Sequence, residues 1–311
     1  MINAEIHSRI LTVVLGLLCL VMQACTSKET TTVTVYTSQD QVYAEPILAE
    51  FTRETGINTR VLYDSESVKT VGLANRLLAE RGNPQCDVFW NNEEFRTRQL
   101  AAKDVFRAAN GWKSFGFRTR RIVVNTNRIS IAEAPRTLRE LTRSVWYGKV
   151  ALAYPLFGTT ATHFLALRDA WGDTEWEQWC RDLQANRPFV VDGNSVVVKL
   201  VGQGEAWVGL TDSDDIEAGR REGYPIASIP LHSESLAIPN TVAVVRGAPH
   251  ARNAQRLYEY LQQSNVIGHL VRRSALEGSI RPGPHTTQPD WDALLADLNT
   301  TTIKLKEIFL R

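Results

Sequence analysis

The feature that most constrains the fold is an alternation of short apolar runs with longer amphipathic ones, which begins soon after the N-terminal segment. Residues 33–36, 57–63 and 87–90 have the β-branched and aromatic character of strands. Between them, one helix pattern begins near Glu45 and a second one covers residues 69–80. Strands that alternate with helices predict a parallel sheet with helices on its faces.

The same alternation begins again at residues 150–153 and continues through a strand pattern at 189–191. Two extended runs, 122–126 and 238–244, can carry the chain between the two units. Two crossings predict a hinged, two-lobed α/β fold with mixed, mainly parallel sheets. The predicted division assigns residues 33–122 and 243–311 to the first lobe and 123–242 to the second, and the C-terminal helices can pack on either.

The N-terminus has the pattern of a targeting segment. Arg9 precedes an apolar run, residues 10–22, which is shorter than the ~20 residues of a membrane span. A small residue before Cys25 resembles a bacterial lipoprotein signal. We expect a signal peptide over 1–24 and a tether over 25–32, with a lipid on Cys25. An ordinary cleaved signal and an uncleaved anchor are the alternatives, and each places the folded part outside the cytoplasmic membrane.

Charge and motifs exclude several functional classes. Lysine and arginine total 35 and aspartate and glutamate 34, so no charge excess indicates a nucleic-acid partner. Nucleophile elbows, zinc-protease motifs, phosphate loops and dinucleotide fingerprints are absent from the sequence, which predicts that the protein is not an enzyme. Cys86 and Cys180 are far apart in sequence and are predicted to be buried thiols rather than a disulfide framework.

Carboxylates at the ends of predicted strands mark a candidate site. The small, apolar run 204–210 ends in three acids just before a helix pattern, and ligands of open α/β sheets bind at such strand ends. The acids proposed as substrate contacts are Asp40, Glu93, Asp212, Asp214 and Asp215. All of these except Asp212 are also candidate metal ligands, because carboxylates brought together out of water need a cation and oxygen ligands suit a hard one. The alternative is that these acids only cap helices, which is the favoured interpretation of Glu66.

A second set of residues favours an anion. Thr159 and Thr160 open one predicted helix and Asn194 opens another, and helix N-termini bind anions through backbone N–H groups. Arg118 and Arg120 flank the predicted hinge strand. The alternative is that the threonines and the asparagine are ordinary caps. Acids and anion-binding helix starts together predict either a metal with a companion anion or a zwitterionic organic solute.

The order of these motifs resembles the extracellular solute-binding proteins of ABC importers, and among them the ferric-ion-binding branch. The resemblance covers nearly the whole chain after the signal. It rests on the runs 34–40 (TVYTSQD), 87–90 (DVFW), 158–160 (GTT), 192–195 (DGNS), 204–205 (GE), 240–244 (NTVAV) and 247–249 (GAP). It implies a type II periplasmic-binding-protein fold, and a monomer on the periplasmic face of the membrane that delivers its solute to an inner-membrane permease.

The resemblance is weakest at the residues that hold iron. Paired tyrosines of the ferric relatives correspond here to Asp214 and Asp215, and a histidine corresponds to Asp40. The usual glutamate falls at Asn92 or Glu93, so Asn92 is also proposed as a substrate contact.

The resemblance also implies that an arginine such as Arg118 contacts an anion. We therefore predict that the transported ligand is a hard cation, iron(III)-like, with a small companion anion. The alternative is a cationic or zwitterionic organic solute of the polyamine, amino-acid or thiamine type.

Overall fold

The computed structural model describes residues 31–64, 71–107, 111–279 and 289–310. Its strands are β1 (Thr32–Thr37), β2 (Asn58–Tyr63), β3 (Val88–Asn91), β4 (Trp112–Asn125), β5 (Val150–Ala153), β6 (Phe189–Val191), β7 (Val208–Asp212), β8 (Ile226–Pro230) and β9 (Ala237–Val244). Its α-helices are α1 (Gln41–Thr55), α2 (Val71–Ala79), α3 (Glu94–Ala101), α4 (Gly158–Trp171), α5 (Asp173–Ala185), α6 (Asn194–Gln203), α7 (Ser213–Arg221), α8 (Ala251–Leu261), α9 (Ser264–Arg272) and α10 (Trp291–Phe309).

Several sequence predictions fall outside these ranges. They are the signal peptide over 1–24, the lipidation of Cys25, most of the tether and the capping role of Glu66. Within the described ranges, no helix combines the length and apolar character that a membrane crossing requires.

The strands form one mixed sheet in the order β2-β1-β3-β9-β4-β7-β5-β6, with β8 also paired to β4. The pairs β1–β2, β1–β3, β5–β6 and β5–β7 are parallel. The pairs β3–β9, β4–β7, β4–β8 and β4–β9 are antiparallel. The prediction of a mixed α/β fold is confirmed, and antiparallel pairings match the parallel ones in number among the described strands.

Strand β4 connects the two parts of the sheet. Its first part, up to Thr119, pairs with β9, and from Arg120 onward it pairs with β7 and β8. The change of partner therefore precedes the predicted crossing at 122–126. The division into two lobes at these points stays a prediction.

Apolar side chains are buried on both sides of this change of partner. Trp90 and Phe115 pack together beneath β1, β3 and β9. Phe164 and Trp179 pack beneath β5 and β7, and Phe309 of α10 contacts Phe164 edge to face. The C-terminal helix therefore packs on the part of the sheet that contains β5. The thiols of Cys86 and Cys180 are free and buried, as predicted.

Helix α1 begins earlier than its sequence pattern predicts. The pattern places the start at Glu45 and Pro46, but the helix begins at Gln41 and contains Pro46 in its interior. The backbone N–H groups of Tyr43 and Ala44 already donate to the carbonyl of Asp40. Both of these residues are buried, and their burial favours a helix that begins on the N-terminal side of Pro46.

Strand β7 passes into α7 without an intervening loop, because β7 ends at Asp212 and α7 begins at Ser213. Helix α6 packs closely over β7 at Gly209, where an added Cβ would lie 2.6 Å from Val197 Cγ1. The absence of a side chain at Gly209 therefore lets α6 pack closely on β7. Asn194, at the start of α6, contacts Asp212 at the end of β7.

Candidate functional site

A narrow cleft lies at the carboxyl ends of β1, β3, β5, β6 and β7. Nine of the ten predicted contacts line it: Asp40, Asn92, Arg118, Thr159, Thr160, Asn194, Asp212, Asp214 and Asp215. Its cavity is about 30 Å³, a volume comparable to that of a single water molecule in the liquid. The predicted residues therefore surround one small, polar space.

Asp212 is the buried centre of this arrangement, with 1% of its surface exposed. One carboxylate oxygen accepts a hydrogen bond from Arg120 Nη1 at 2.6 Å. The other accepts from Thr159 Oγ1 at 2.7 Å, Asn194 Nδ2 at 3.2 Å and Arg118 Nε at 3.2 Å. Burial raises the pKa of Asp212, but Arg120 and Arg118 outweigh burial, so the net pKa is lowered. Asp212 is thus ionised and saturated with donors, which suits an organising role rather than direct binding of a ligand.

Arg118 lies in the cleft wall and joins Asp212 to Asp214. Its Nε is 3.2 Å from Asp214 Oδ1, and its Nη2 is 3.1 Å from Asp212 Oδ2. Its Nη1 donates to the carbonyl of Asn92 and to Asn240 Oδ1. Burial lowers the pKa of Arg118, but Asp214, Asp212 and more distant carboxylates raise it further, so the guanidinium stays charged.

Arg120 lies behind the cleft and is fully buried. Besides Asp212 it donates to Thr159 Oγ1 and Thr160 Oγ1, each at 3.3 Å, and its Nε lies 3.5 Å from His163 Nδ1. Burial and the charge of Arg120 lower the pKa of His163 to about 3. His163 is therefore neutral at physiological pH and accepts from Arg120 while its Nε2–H donates to the carbonyl of Glu234, 2.7 Å away.

Asp214 and Asp215 occupy the first turn of α7. One carboxylate oxygen from each of Asp212, Asp214 and Asp215 lies within 4.8 Å of the others, a spacing at which three carboxylates could share a metal ion. Asp214 is 3% exposed, whereas Asp215 is more accessible. The carboxylate of Asp215 is therefore better placed than that of Asp212 to meet an incoming cation.

Three helices begin at the cleft without a side-chain cap. The N-cap residues of α4, α6 and α7 are Phe157, Gly193 and Asp212, and none of their side chains accepts a hydrogen bond from the first turn. Backbone N–H groups at such helix starts carry partial positive charge and bind anions. The side chains of Thr159 and Asn194 stand at two of the three starts. The cleft thus contains donors for an anion close to carboxylates for a cation.

Asp40 and Asn92, from the loops after β1 and β3, also line the cleft. Asp40 is the N-cap residue of α1, yet its side chain makes no capping hydrogen bond to that helix. The Asn92 backbone N–H and Oδ1 both bond to Ser38 Oγ, at 2.9 and 3.0 Å. These contacts fix the loop after β3 against the loop after β1.

Glu93 is the predicted contact that the structure does not bring to the cleft. Its two carboxylate oxygens accept from the backbone N–H groups of Phe95 at 2.7 Å and Arg96 at 3.0 Å, which makes it the N-cap of α3. It is fully buried, and burial raises its pKa. The local pattern of an acid after a strand fits a cap as well as a ligand, and here the carboxylate caps the helix.

The cleft and its immediate surroundings carry an excess of negative charge. Five carboxylates line the cleft, and the two guanidinium groups of Arg118 and Arg120 contact one or more of them. The lining carboxylates outnumber these two guanidinium groups by three. The cleft therefore attracts a cationic group, while its helix starts provide for an anionic one.

Six further residues line the cleft besides the predicted contacts: Ala153, Tyr154, Phe157, Gly158, Asp192 and Gly193. Among them, Asp192 follows β6, and Tyr154 and Phe157 follow β5. Each follows a predicted strand, and that position was the signal available in the sequence. Phe157 and Tyr154 give one wall of the cleft an apolar and aromatic character.

Comparison with known proteins identifies the family to which the sequence belongs. The sequence profile of a family described as bacterial extracellular solute-binding protein matches residues 31–268. The major ferric iron-binding protein of Neisseria meningitidis is 23% identical over 209 residues, which cover 61% of this chain and 61% of that protein. The chain thus spans about three fifths of the length of this relative. A putative 2-aminoethylphosphonate-binding periplasmic protein of Salmonella typhimurium is 23% identical over 283 residues, 80% of this chain and 82% of that one.

Solved structures share the fold. Iron-bound HitA of Pseudomonas aeruginosa superposes with a TM-score of 0.74 at 19% identity, covering 89% of this chain and 98% of that one. AfuA of Actinobacillus pleuropneumoniae, with fructose-6-phosphate bound, gives a TM-score of 0.77 at 18% identity, covering 90% and 99%. At these identities the likeness concerns the fold.

Proposed function

Because the chain belongs to the bacterial extracellular solute-binding proteins, we propose that it captures a small solute in the cleft and delivers it to the permease of an ABC importer. The fold predicted from the sequence, that of type II periplasmic binding proteins, is confirmed. The relatives named above are binding proteins by name, which supports a binding role rather than a catalytic one.

The working form we propose is a monomer held at the periplasmic face of the membrane by a lipid on Cys25. The two predicted lobes close on the solute by bending near the point where β4 changes partner, between Thr119 and Arg120. The cavity of about 30 Å³ is smaller than an organic solute, so such a solute enters when the cleft opens. An inner-membrane permease then receives the solute.

The solute that the cleft suits best is a small zwitterion, with an ammonium or similar cation joined to an anionic group. The observation that carries this proposal is the proximity of the two kinds of group. Asp40 and Asp215 offer carboxylates to a cation, and the uncapped starts of α4 and α6 offer N–H donors to an anion.

The position of Arg118 moves the zwitterion ahead of the metal ion that the sequence alone ranks first. Arg118 Nε lies 3.2 Å from oxygens of both Asp212 and Asp214, so two of the three clustered carboxylates already face a fixed cation. A trivalent metal would have to bind beside that guanidinium and be repelled by it. An ammonium carries a single charge and needs fewer carboxylates.

A hard cation with a companion anion is the second candidate. The spacing of Asp212, Asp214 and Asp215 favours it, and so does the small volume of the cavity. The names of the relatives include both kinds of ligand: ferric iron for one and 2-aminoethylphosphonate for the other.

The first experiment identifies the solute directly. The protein is purified from its native envelope, and the released ligand is analysed by mass spectrometry and elemental analysis. One equivalent of an organic zwitterion supports the first candidate, and one equivalent of metal without it supports the second. Both candidates would be contradicted if repeated preparations contained neither a zwitterion nor a metal and the protein bound neither 2-aminoethylphosphonate nor ferric citrate.

A variant tests the acids of α7. We expect Asp215→Asn to weaken the binding of 2-aminoethylphosphonate at least tenfold in calorimetry, because one charge-assisted contact to the cation is lost. Asp173→Asn changes an exposed carboxylate of α5 that is bonded to Arg168 and is the matched control. Equal affinities for the wild type and both variants would show that Asp215 only stabilises the start of α7.

A further inference from the structure

One buried amide next to the cleft has a donor without a partner. Gln39 follows β1 and is 2% exposed, yet its Nε2 makes no hydrogen bond to the described part of the chain. A buried N–H group left without a partner is costly, so native proteins seldom contain one without a reason. An acceptor from outside the described residues would satisfy this donor.

The orientation of this amide is fixed by a chain of hydrogen bonds that begins at Arg118. A guanidinium only donates, so the atom of Asn240 that faces Arg118 Nη1 at 3.1 Å must be its oxygen. The Nδ2 of Asn240 then donates to Gln39 Oε1, 2.8 Å away. Exchanging the oxygen and nitrogen of Gln39 would place two donors face to face. The Nε2 of Gln39 is therefore the end of the chain.

Gln39 is not itself among the residues that line the cleft, but it is linked to two that are, by the backbone to Asp40 and by hydrogen bonds to Arg118. Asp40, the next residue, lines the cleft, and so does Arg118 at the other end of the chain. The backbone N–H of Gln39 is held by Thr37 Oγ1 at 3.0 Å, which fixes the turn that presents both Gln39 and Asp40. Asn240 itself is fully buried in β9, so the chain has little freedom to rearrange.

We infer that Gln39 is a specificity-determining residue whose side-chain Nε2–H donates to an oxygen of the bound solute beside Asp40. The inference rests on the proposed function and adds a property of the solute. While the cation of the solute meets Asp40, an oxygen of its anionic group, or a further acceptor, reaches the amide of Gln39. A bare metal ion has no such acceptor and would be repelled by the amide hydrogens.

The substitution Gln39→Glu separates these cases by the sign of its effect. A glutamate keeps an oxygen to accept from Asn240, replaces the N–H2 donor by a second oxygen and adds a negative charge near Asp40. We expect the affinity for 2-aminoethylphosphonate to fall about tenfold to a hundredfold, because a donor is replaced by an acceptor that repels the solute oxygen. If only a cation lies at this position, the added charge raises the affinity instead.

The measurement is titration calorimetry of the wild type, Gln39→Glu and the control Gln41→Glu. Gln41 is exposed two residues away and bonds only to Glu45 among the described residues, so its substitution adds the same charge without removing a donor from the cleft. A loss confined to Gln39→Glu supports the inference, and unchanged or tighter binding by Gln39→Glu overturns it. Absence of binding by the wild type would count against the proposed function and would remove the inference with it. Thermal melts check that all three proteins fold.

Discussion

Replacing Asp212 by asparagine is expected to destabilise the protein strongly. The carboxylate is the shared acceptor for Arg118, Arg120, Thr159 and Asn194, and both arginines are almost fully buried. An asparagine has nearly the same volume, so no cavity forms, but one oxygen and the negative charge are lost. Two buried guanidinium groups are then left with too little negative charge around them.

The magnitude follows from the cost of breaking a buried ion pair, about 3–5 kcal/mol. With a urea dependence of about 3 kcal/mol per molar, the unfolding midpoint falls by roughly 1–1.7 M. Asp173→Asn removes an ion pair whose carboxylate is exposed, so it is expected to cost about 1 kcal/mol or less.

The effect also has a signature in pH. The pKa of Asp212 is lowered in the folded protein, because Arg120 and Arg118 outweigh burial. Its contribution to stability is therefore present above the unfolded pKa of about 3.9 and is lost as the pH falls below that value through the folded pKa. The difference in stability between wild type and Asp212→Asn should be constant from about pH 5 to 8 and shrink below about pH 4. A difference below about 1 kcal/mol at pH 7 would show that the arginines find other partners and would refute the reasoning.

Two further predictions concern buried groups near the cleft. The pKa of His163 is lowered to about 3, so the unfolded chain binds a proton that the folded one does not, and stability falls as the pH drops from about 6.5 towards 3. His163→Gln should reduce this dependence of the unfolding free energy on pH, which urea titrations measure. In the wild type its slope from this histidine is at most about 1.4 kcal/mol per pH unit. An unchanged slope in the variant would mean that the histidine is protonated as easily in the folded as in the unfolded chain. Glu93→Gln weakens the cap of α3 and should cost about 1 kcal/mol of unfolding free energy while leaving solute affinity within twofold. A large loss of affinity without a loss of stability would restore Glu93 as a ligand contact.

Much of the fold follows from local sequence patterns. The apolar run that ends at Asp212 forms β7, and the helix pattern after it forms α7, because strand and helix periodicities differ clearly there. Strand β8 was not predicted, since Ile226–Pro230 is short and bounded by prolines at 225 and 230. Helix α9 was also missed, because only two residues separate it from α8.

The site was predictable to the extent that position along the chain determines place in the fold. Asp40, Thr159 and Asp214 meet because all follow strands whose carboxyl ends lie together. What the sequence could not give is the pairing of side chains. Arg118 and Asp212 are 94 residues apart, and their contact depends on the register of β4 against β7. The capping role of Glu93 likewise depends on burial that only the packed structure reveals.

The hydrogen bonds to Asp212 hold neighbouring elements of the fold together and also fix the side chains that line the cleft. A change at this carboxylate would loosen the N-termini of α4 and α6. It would also leave the guanidinium groups of Arg118 and Arg120 without their shared anion in an interior without water. Descendants of this protein are therefore expected to keep Asp212 and to vary the residues at the edge of the cleft, Asp40, Tyr154 and Asp215. Sequence differences among such descendants should therefore be concentrated at the edge of the cleft, while Asp212 stays unchanged.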